Sequence, residues 1–370
     1  MNETDQRLFA LQDNSRSARI SVSVAMATYN GEAFLQDQLD SLATQQLLPC
    51  ELVVTDDGSS DQTMLVLREF AKIAPFEVRV YQNPSRLGFA DNFLRCASLC
   101  RGRIIAFCDQ DDKWYPEKLR ICIKEFDDPG VLLCVHSATI WRAGEKLSRR
   151  APDFNIRYVH NPNATDPLTV YAGYSMVFRK SLLDFCDASR RPLDIHRVPG
   201  RNVLMSHDRF IWFVASIFGK IVCLPNDLVC YRLHPQNTCG ITPDQALMQK
   251  LSAIINKVNY KILSDFSNEC ARFLEESLET TPLNQDELRH YYEIAAERFR
   301  IRAKLLELRA ALYDRENNLA NRLILISKII REGGYFFNPY GHRLGLRAAL
   351  KDLLYGLPGI PKMRTLGFDV

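Results

Sequence analysis

Residues 20–44 read ISVSVAMATYNGEAFLQDQLDSLAT, and the pattern they open repeats through the next eighty positions. Residues 20–27 are small, apolar and β-branched, a strand pattern. Asn30-Gly31 is a common turn pair, and from about Glu32 to Thr44 the apolar residues recur at helical spacing. Residues 51–55 form a second short strand ending in DDGSSD, and residues 62–73 have helical periodicity. Residues 77–81 alternate like a strand, 90–99 read as a helix and 104–108 as a buried strand. Pro116 then occupies a first-turn position for a helix running through Phe126.

Alternation of this kind implies an α/β fold, a mostly parallel sheet flanked by helices. Such sheets bind ligands at the carboxyl ends of their strands. The polar clusters fall at those ends: residues 28–31 after the first strand, 56–59 after the second, 109–112 after the fourth. One sheet edge is therefore expected to carry the site.

The chain has 370 residues, longer than one average domain. The expected organisation is a flexible N-terminal segment over 1–18, a catalytic domain over 19–240 and a C-terminal helical region over 241–370. Between residues 131 and 240 the pattern is loop-rich, with short strands expected near Val135, Met176 and Val229. Hydrophobic residues make up 46% and charged residues 25%, the balance of a globular protein with a sizeable core. A net charge of +3 gives no argument for a polyanionic partner, and basic residues are not gathered with aromatics, so no nucleic acid is expected. The polar N-terminus has no apolar secretion core. The most apolar stretch, residues 211–224, is broken by Gly219 and Lys220 and is too short to span a bilayer. A cytoplasmic location is expected. The eleven cysteines include no C-x-x-C pair and read as small buried hydrophobes.

The chemistry concentrates in CDQDDKWYP, residues 108–116. Three aspartates at the end of an apolar strand repel one another unless a cation compensates. Carboxylate oxygens suit Mg²⁺ or Mn²⁺, which keep substrate phosphates as further ligands. Taken alone, the triplet is equally the mark of a solvated acidic turn capping the next helix.

Four stretches occur in order, each at a strand end: AMATYNGEAFLQDQLDSL (25–42), ELVVTDDGSSDQT (51–63), RLGFADNFLRC (86–96) and FCDQDDKWYPEKL (107–119). Together they resemble the family 2 glycosyltransferases of GT-A fold, in particular the bacterial surface-polysaccharide branch with rhamnosyltransferase-like members. SHDRFIW (206–212) and YRLHPQN (231–237) fit the same branch, and the resemblance covers roughly residues 20–240. It implies an inverting, metal-dependent transfer of a sugar from a UDP- or dTDP-sugar to a glycan or lipid-linked saccharide. It also implies roles. Thr28, Asn30 and Glu32 would line the nucleotide pocket, and Asp56 would accept the N3–H of a uracil or thymine ring. Asp57 and Gly58 would shape the turn beneath the base. Arg86 and Gly88 would lie along the nucleotide, and Asp109 would face ribose while Asp111 binds the metal. Arg232 and His234 would reach the diphosphate, His234 with Asp109 as a further metal ligand. Gly173, Tyr174, Ser175 and His207 would sit on the acceptor side, and Asp208 would be the catalytic base. Relatives carry an aromatic residue after that aspartate where this chain has Arg209, which bears on acceptor preference.

Each of these residues also has a plainer reading as a turn, cap or packing residue. Other nucleotide chemistries fit less well: no P-loop, no G-x-G-x-x-G after a strand and no G-x-S-x-G elbow occurs. A sugar nucleotidyltransferase would show a Gly-rich basic loop after its first strand, and a non-catalytic nucleotide-sugar binder would lack the carboxylates. Near the C-terminus, residues 342–357 place Arg343, Arg347 and Lys351 beside Leu346, Leu350, Leu353 and Leu357. Such a helix either docks on the protein by its leucines or contacts a membrane surface peripherally.

Overall fold

The computed structural model describes residues 21–142, 144–169, 171–194, 203–235, 237, 260–280, 285–314, 316–335 and 345–358. The expected N-terminal segment, residues 1–18, lies outside them. The chain divides into two compact units, one of residues 1–191 and 205–240, the other of residues 192–204 and 241–370. Residues 192–204 thus group with the helical region rather than with the residues on either side of them.

The first unit alternates as its sequence does. Strand β1 (Val22–Thr28) leads to helix α1 (Glu32–Ala43), β2 (Glu51–Asp56) to α2 (Thr63–Ile73), and β3 (Glu77–Gln82) to α3 (Phe89–Leu99). Then come β4 (Ile104–Asp109), the two-residue β5 (Lys113–Trp114) and α4 (Lys118–Lys124). β6 (Val131–Arg142), β7 (Glu145–Arg150), β8 (Tyr158–His160) and β9 (Met176–Arg179) precede α5 (His207–Phe218) and β10 (Lys220–Leu233). One sheet runs in the order β3-β2-β1-β4-β9-β6-β10-β5, with β7 on β6 and β8 on β10. Its first four strands are parallel. β9 pairs antiparallel with both β4 and β6, and β6 with β10 is parallel again.

β1 lies between two parallel neighbours and is covered on both faces, which is why it reads as a continuous apolar run. α1 turns Leu35, Leu39 and Leu42 fully inward; each such side chain contributes roughly 1.5–3 kcal/mol. α3 packs on β1, β2 and β4, and α5 on α3, β6 and β10. The apolar stretch 211–224 therefore divides at Gly219 into the buried helix α5 and the start of β10. The middle region is less loop-rich than expected. Its strands at Val135 and Val229 belong to the 12-residue β6 and the 14-residue β10. β10 is irregular against β6 between Leu224 and Cys230, which hides its length from a periodicity reading. All ten cysteines among the described residues are free thiols, mostly buried as expected.

In the second unit, α6 (Tyr260–Thr280) packs against α7 (Gln285–Leu312), followed by α8 (Leu319–Arg331) and α9 (Gly345–Lys351). Residues 352–356 close α9 as a π-helical turn. Leu305 and Leu312 of α7 share one apolar cluster with Ile326 and Ile329 of α8, Tyr335 and Ala349. Asp352 is fully buried beside it, accepting hydrogen bonds from Arg309 Nη2 at 2.8 Å, Tyr313 OH at 2.9 Å and Tyr335 OH at 2.7 Å. Of the expected amphipathic segment, residues 342–344 lie outside the described residues. The π-helical turn shifts the register of the rest, so Leu353 and Leu354 both face outward while Leu357 packs on the cluster.

Candidate active site at the carboxyl edge of the sheet

Because β1, β2 and β4 are parallel and adjacent, their carboxyl ends bring Thr28, Asp56 and Asp109 to one edge. The loops there are fastened to one another by side chains. Thr28 Oγ1 donates to Asp56 Oδ2 at 2.9 Å, and Ser59 Oγ donates to the same oxygen at 2.5 Å. Asp56 Oδ1 accepts the N–H groups of Gly58 and Ser59. This carboxylate is fully buried and receives four donors from the chain itself. Asn30 Oδ1 accepts from Ser60 N at 2.9 Å, and Glu32 Oε2 from Gln62 N at 2.7 Å. Asp57 ties in the loop after β3, accepting Leu87 N at 2.7 Å, Gly88 N at 2.8 Å and Asn83 Nδ2 at 3.0 Å. Arg86 is exposed, its guanidinium 4.0 Å from the centre of the Tyr29 ring.

Gln110, between Asp109 and Asp111, pairs with the Tyr29 backbone, accepting from N and donating to O at 3.0 Å each. A Cβ on Gly31 would stand 2.3 Å from Gln110 Oε1, so a glycine is required for this tie.

The carboxylates behind Gln110 are crowded. Burial, then Asp111, then Asp208 push the Asp109 carboxyl up to about 8, so the structure brings Asp208 of α5 within electrostatic reach of Asp109. Asp112 is fully buried and raised well above the usual carboxylate range by burial and its two neighbours. Its Oδ1 accepts Arg232 N at 3.1 Å, and its Oδ2 has no hydrogen-bond partner. The internal cation nearby is Lys118, fully buried over the Trp114 ring at 3.5 Å and donating to Tyr174 O at 2.8 Å; burial pulls it down to about 8.

The end of β10 closes the edge. His234 Nε2 lies 2.8 Å from Asp111 Oδ2, and Asn237 Nδ2 donates to that oxygen at 3.1 Å. Asn237 Oδ1 accepts His234 N at 2.7 Å, and the imidazole packs on Phe34. Arg232 also lies against Phe34 and pairs with Asp37 at 2.9 Å. The donor set suits a hard divalent cation: carboxylates in excess, one orphaned buried oxygen on Asp112 and an imidazole beside Asp111. Among the described residues, however, no three His, Cys, Asp or Glu side chains are arranged to hold an ion by themselves, so ligands from a substrate would have to complete its shell.

Asp208 lies in the first turn of α5. Its Oδ1 accepts Ser206 Oγ at 2.5 Å and Arg209 N at 2.8 Å. His207 points the other way, stacked on Phe93 at 4.2 Å with Phe89 and Phe107 around it. Gly173 allows that fit, since a Cβ there would stand 2.6 Å from His207 Nε2. Tyr174 and Ser175 are buried too: the tyrosine stacks on Tyr231 and donates to Ala151 O at 2.7 Å, and Ser175 donates to Ala172 O. This group braces the site from behind. Gln110, Lys118, Asp37 and Asn237 escaped the sequence reading. All four lie inside the quoted stretches, but nothing local marks them as contact residues.

Residues 23–185 match the family described as "Glycosyl transferase family 2". The dTDP-rhamnosyl transferase RfbG of Shigella flexneri is 34% identical over 256 residues, covering 66% of this chain and 84% of that protein. The chain belongs to glycosyltransferase family 2. An uncharacterized protein of Mycobacterium bovis is 27% identical over 221 residues, 58% of this chain and 59% of its own length. The family 2 chain thus spans 59% of the length of that relative. Among solved structures, Staphylococcus aureus TarS 1-349 superposes with a TM-score of 0.48 at 18% identity, covering 86% of this chain and 93% of that one.

Proposed function

We propose that this family 2 chain moves a sugar, with inversion, from a UDP- or dTDP-sugar to a hydroxyl of a glycan or lipid-linked saccharide in surface-polysaccharide synthesis. The observation that carries this is that Asp208, in the first turn of α5, acts electrostatically on Asp109, next to Asp111, at the carboxyl end of β4. One end of that array suits a diphosphate with its cation, the other a hydroxyl to be deprotonated. The dTDP-rhamnosyl name of the Shigella relative supports a deoxythymidine donor.

In this reading Asp111, Asp109 and His234 would hold Mg²⁺ or Mn²⁺ together with the donor's diphosphate, and the chemistry supplied there would be neutralisation of charge developing on the leaving group. Both hydrogen bonds that Asp208 accepts fall on Oδ1, leaving Oδ2 to take the acceptor proton. The acceptor oxygen bonds to the anomeric carbon from the face opposite the diphosphate. The bond to the phosphate oxygen breaks and its electron pair leaves with the nucleoside diphosphate. Arg232 exchanges Asp37 for a diphosphate oxygen. Asp109 faces ribose, and Thr28, Asn30, Glu32, Asp57, Arg86 and Gly88 frame the nucleotide. A pyrimidine N3–H reaches Asp56 only if the Ser59 hydroxyl turns aside, since that carboxylate is filled by the chain's own donors. Gly173, Tyr174, Ser175 and His207 fix the acceptor side by position rather than by contact.

The test is incubation of the purified protein with Mn²⁺ and a panel of UDP- and dTDP-sugars. Nucleoside diphosphate should be released from one of them, and exhaustive chelation should stop the release. Pyrophosphate as the product, turnover that survives chelation, or no release from any donor would each overturn the assignment.

A further inference from the structure

The proposed base stands at the start of a helix whose first residue does not cap it. Ser206 occupies the N-cap of α5, where a serine hydroxyl ordinarily accepts a first-turn N–H. Here it makes no such bond and donates to Asp208 Oδ1 instead. The position of that carboxylate therefore depends on what holds residues 205 and 206.

Arg191 holds them. It is almost entirely buried, and its Nε donates at 2.5 Å to Met205 O, the carbonyl of the Met205–Ser206 peptide. Nη1 donates to Ala188 O at 2.8 Å and Nη2 to Asp91 Oδ1 at 2.6 Å. Arg191 and Met205 are also the residues at which the first unit is left and re-entered, on either side of residues 192–204. Within that excursion Leu193 pairs with Leu204, and Asp194 N donates to Val203 O at 2.7 Å. The guanidinium thus closes the foot of two paired segments. Three partners in fixed directions suit its planar fork, which a flexible ammonium would not reproduce. A guanidinium withdrawn from water needs a counter-charge, and Asp91 supplies it from 100 positions earlier in the chain.

Asp91 lies in the first turn of α3, three residues after Gly88, whose N–H is held by Asp57 Oδ2. The same helix carries Phe93, on which His207 stacks at 4.2 Å. α3 therefore grips the segment before Asp208 at two points: Phe93 at His207 and, through Arg191, Asp91 at Met205. Its own start is tied to the loops that frame the nucleotide in the proposed reading. We infer, on the reading of Asp208 as the base, that Arg191 set by Asp91 is a positioning residue for the transfer. It fixes the Met205–Ser206 peptide, and with it the Ser206 hydroxyl, so that Asp208 stands at a constant reach from the donor.

The experiment acts through Asp91, whose side chain is 49% exposed, so that Asp91→Ala releases the guanidinium without removing a buried side chain. In the full chain without ligand, hydrogen exchange at residues 205–210 should become about tenfold faster in Asp91→Ala, while Gly219 N at the far end of α5 should not change. With Mn²⁺ and the UDP- or dTDP-sugar that wild type turns over, kcat should fall roughly 10–10²-fold and donor KM should stay within about twofold. Asp91→Glu should restore both readouts. In an Asp208→Asn background Asp91→Ala should cost nothing further, because a positioning residue acts only through the group it positions. Unchanged exchange, full activity in Asp91→Ala, or the same fall in kcat on both backgrounds overturns the inference and leaves Asp208 as the base. Near-normal kcat in Asp208→Asn, or a wild type that turns over no donor, overturns the base reading and the inference with it.

Discussion

The parallel strands bury carboxylates at both of their ends, in opposite company. At the amino end of β2, Glu51 is almost fully buried, which alone would push its pKa up. Arg101 N at 2.5 Å, Ser23 Oγ at 2.7 Å and Arg79 Nη1 at 2.7 Å more than offset this, and the group is held down to about 2. At the carboxyl end, Asp109 and Asp112 are buried beside other carboxylates with one buried lysine nearby, and both move up. Burial is common to the two ends. Counter-charge is scarcer at the carboxyl end, which in the proposed reading suits a cationic or proton-bearing ligand, while the amino end holds the fold.

The sharpest way to break this contrast is to remove one charge at each end. Asp208→Asn keeps size and most hydrogen bonding but cannot accept a proton, so kcat should fall by roughly 10²–10⁴. Its melting temperature and donor affinity should barely move; near-normal kcat would place the base elsewhere. Glu51→Gln should do the reverse. Leaving Arg79 and Ser23 without their anion should cost about 2–3 kcal/mol, less than a fully buried pair because Arg79 and Arg101 reach solvent. Activity per folded molecule should persist, as urea melts and assays of the same preparation would show. The Glu51 contribution also has a pH signature. Its folded pKa of about 2 lies below the ordinary 4.5, so its stabilisation is complete above 4.5 and is lost as pH falls toward 2. Urea midpoints taken from pH 5 to pH 3 should therefore drop more steeply in wild type than in Glu51→Gln. The smallest effect is expected from Asn237→Ala, which frees the His234–Asp111 pair and should weaken Mn²⁺ activation about tenfold with kcat at saturation little changed. An unchanged Mn²⁺ requirement would make Asn237 a loop residue only.

The parallel half of the sheet was legible because its strands are buried on both faces and its helices are amphipathic, so local periodicity carries the information. β10 was not, because Pro225 and the irregular pairing between Leu224 and Cys230 interrupt the alternation within one strand. The aspartates of the site stood out by charge at strand ends. Gln110 and Asn237 did not, since their contacts reach a backbone 81 positions away and a side chain 126 positions away, and nothing local marks either. Tyr174, Ser175 and His207 were visible in sequence, but only packing shows that their side chains face inward.

The mutual fastening of the four loops at the carboxyl edge bears on the speed of capture. Asp56 and Asp57 join the loops after β1, β2 and β3, and Gln110 joins the first of them to the loop after β4. Their ordering entropy is thus spent once, when the chain folds, and not again at each encounter. A nucleotide arriving there finds the rim already shaped, and its association rate should be set by diffusion and orientation rather than gated by closure of these loops.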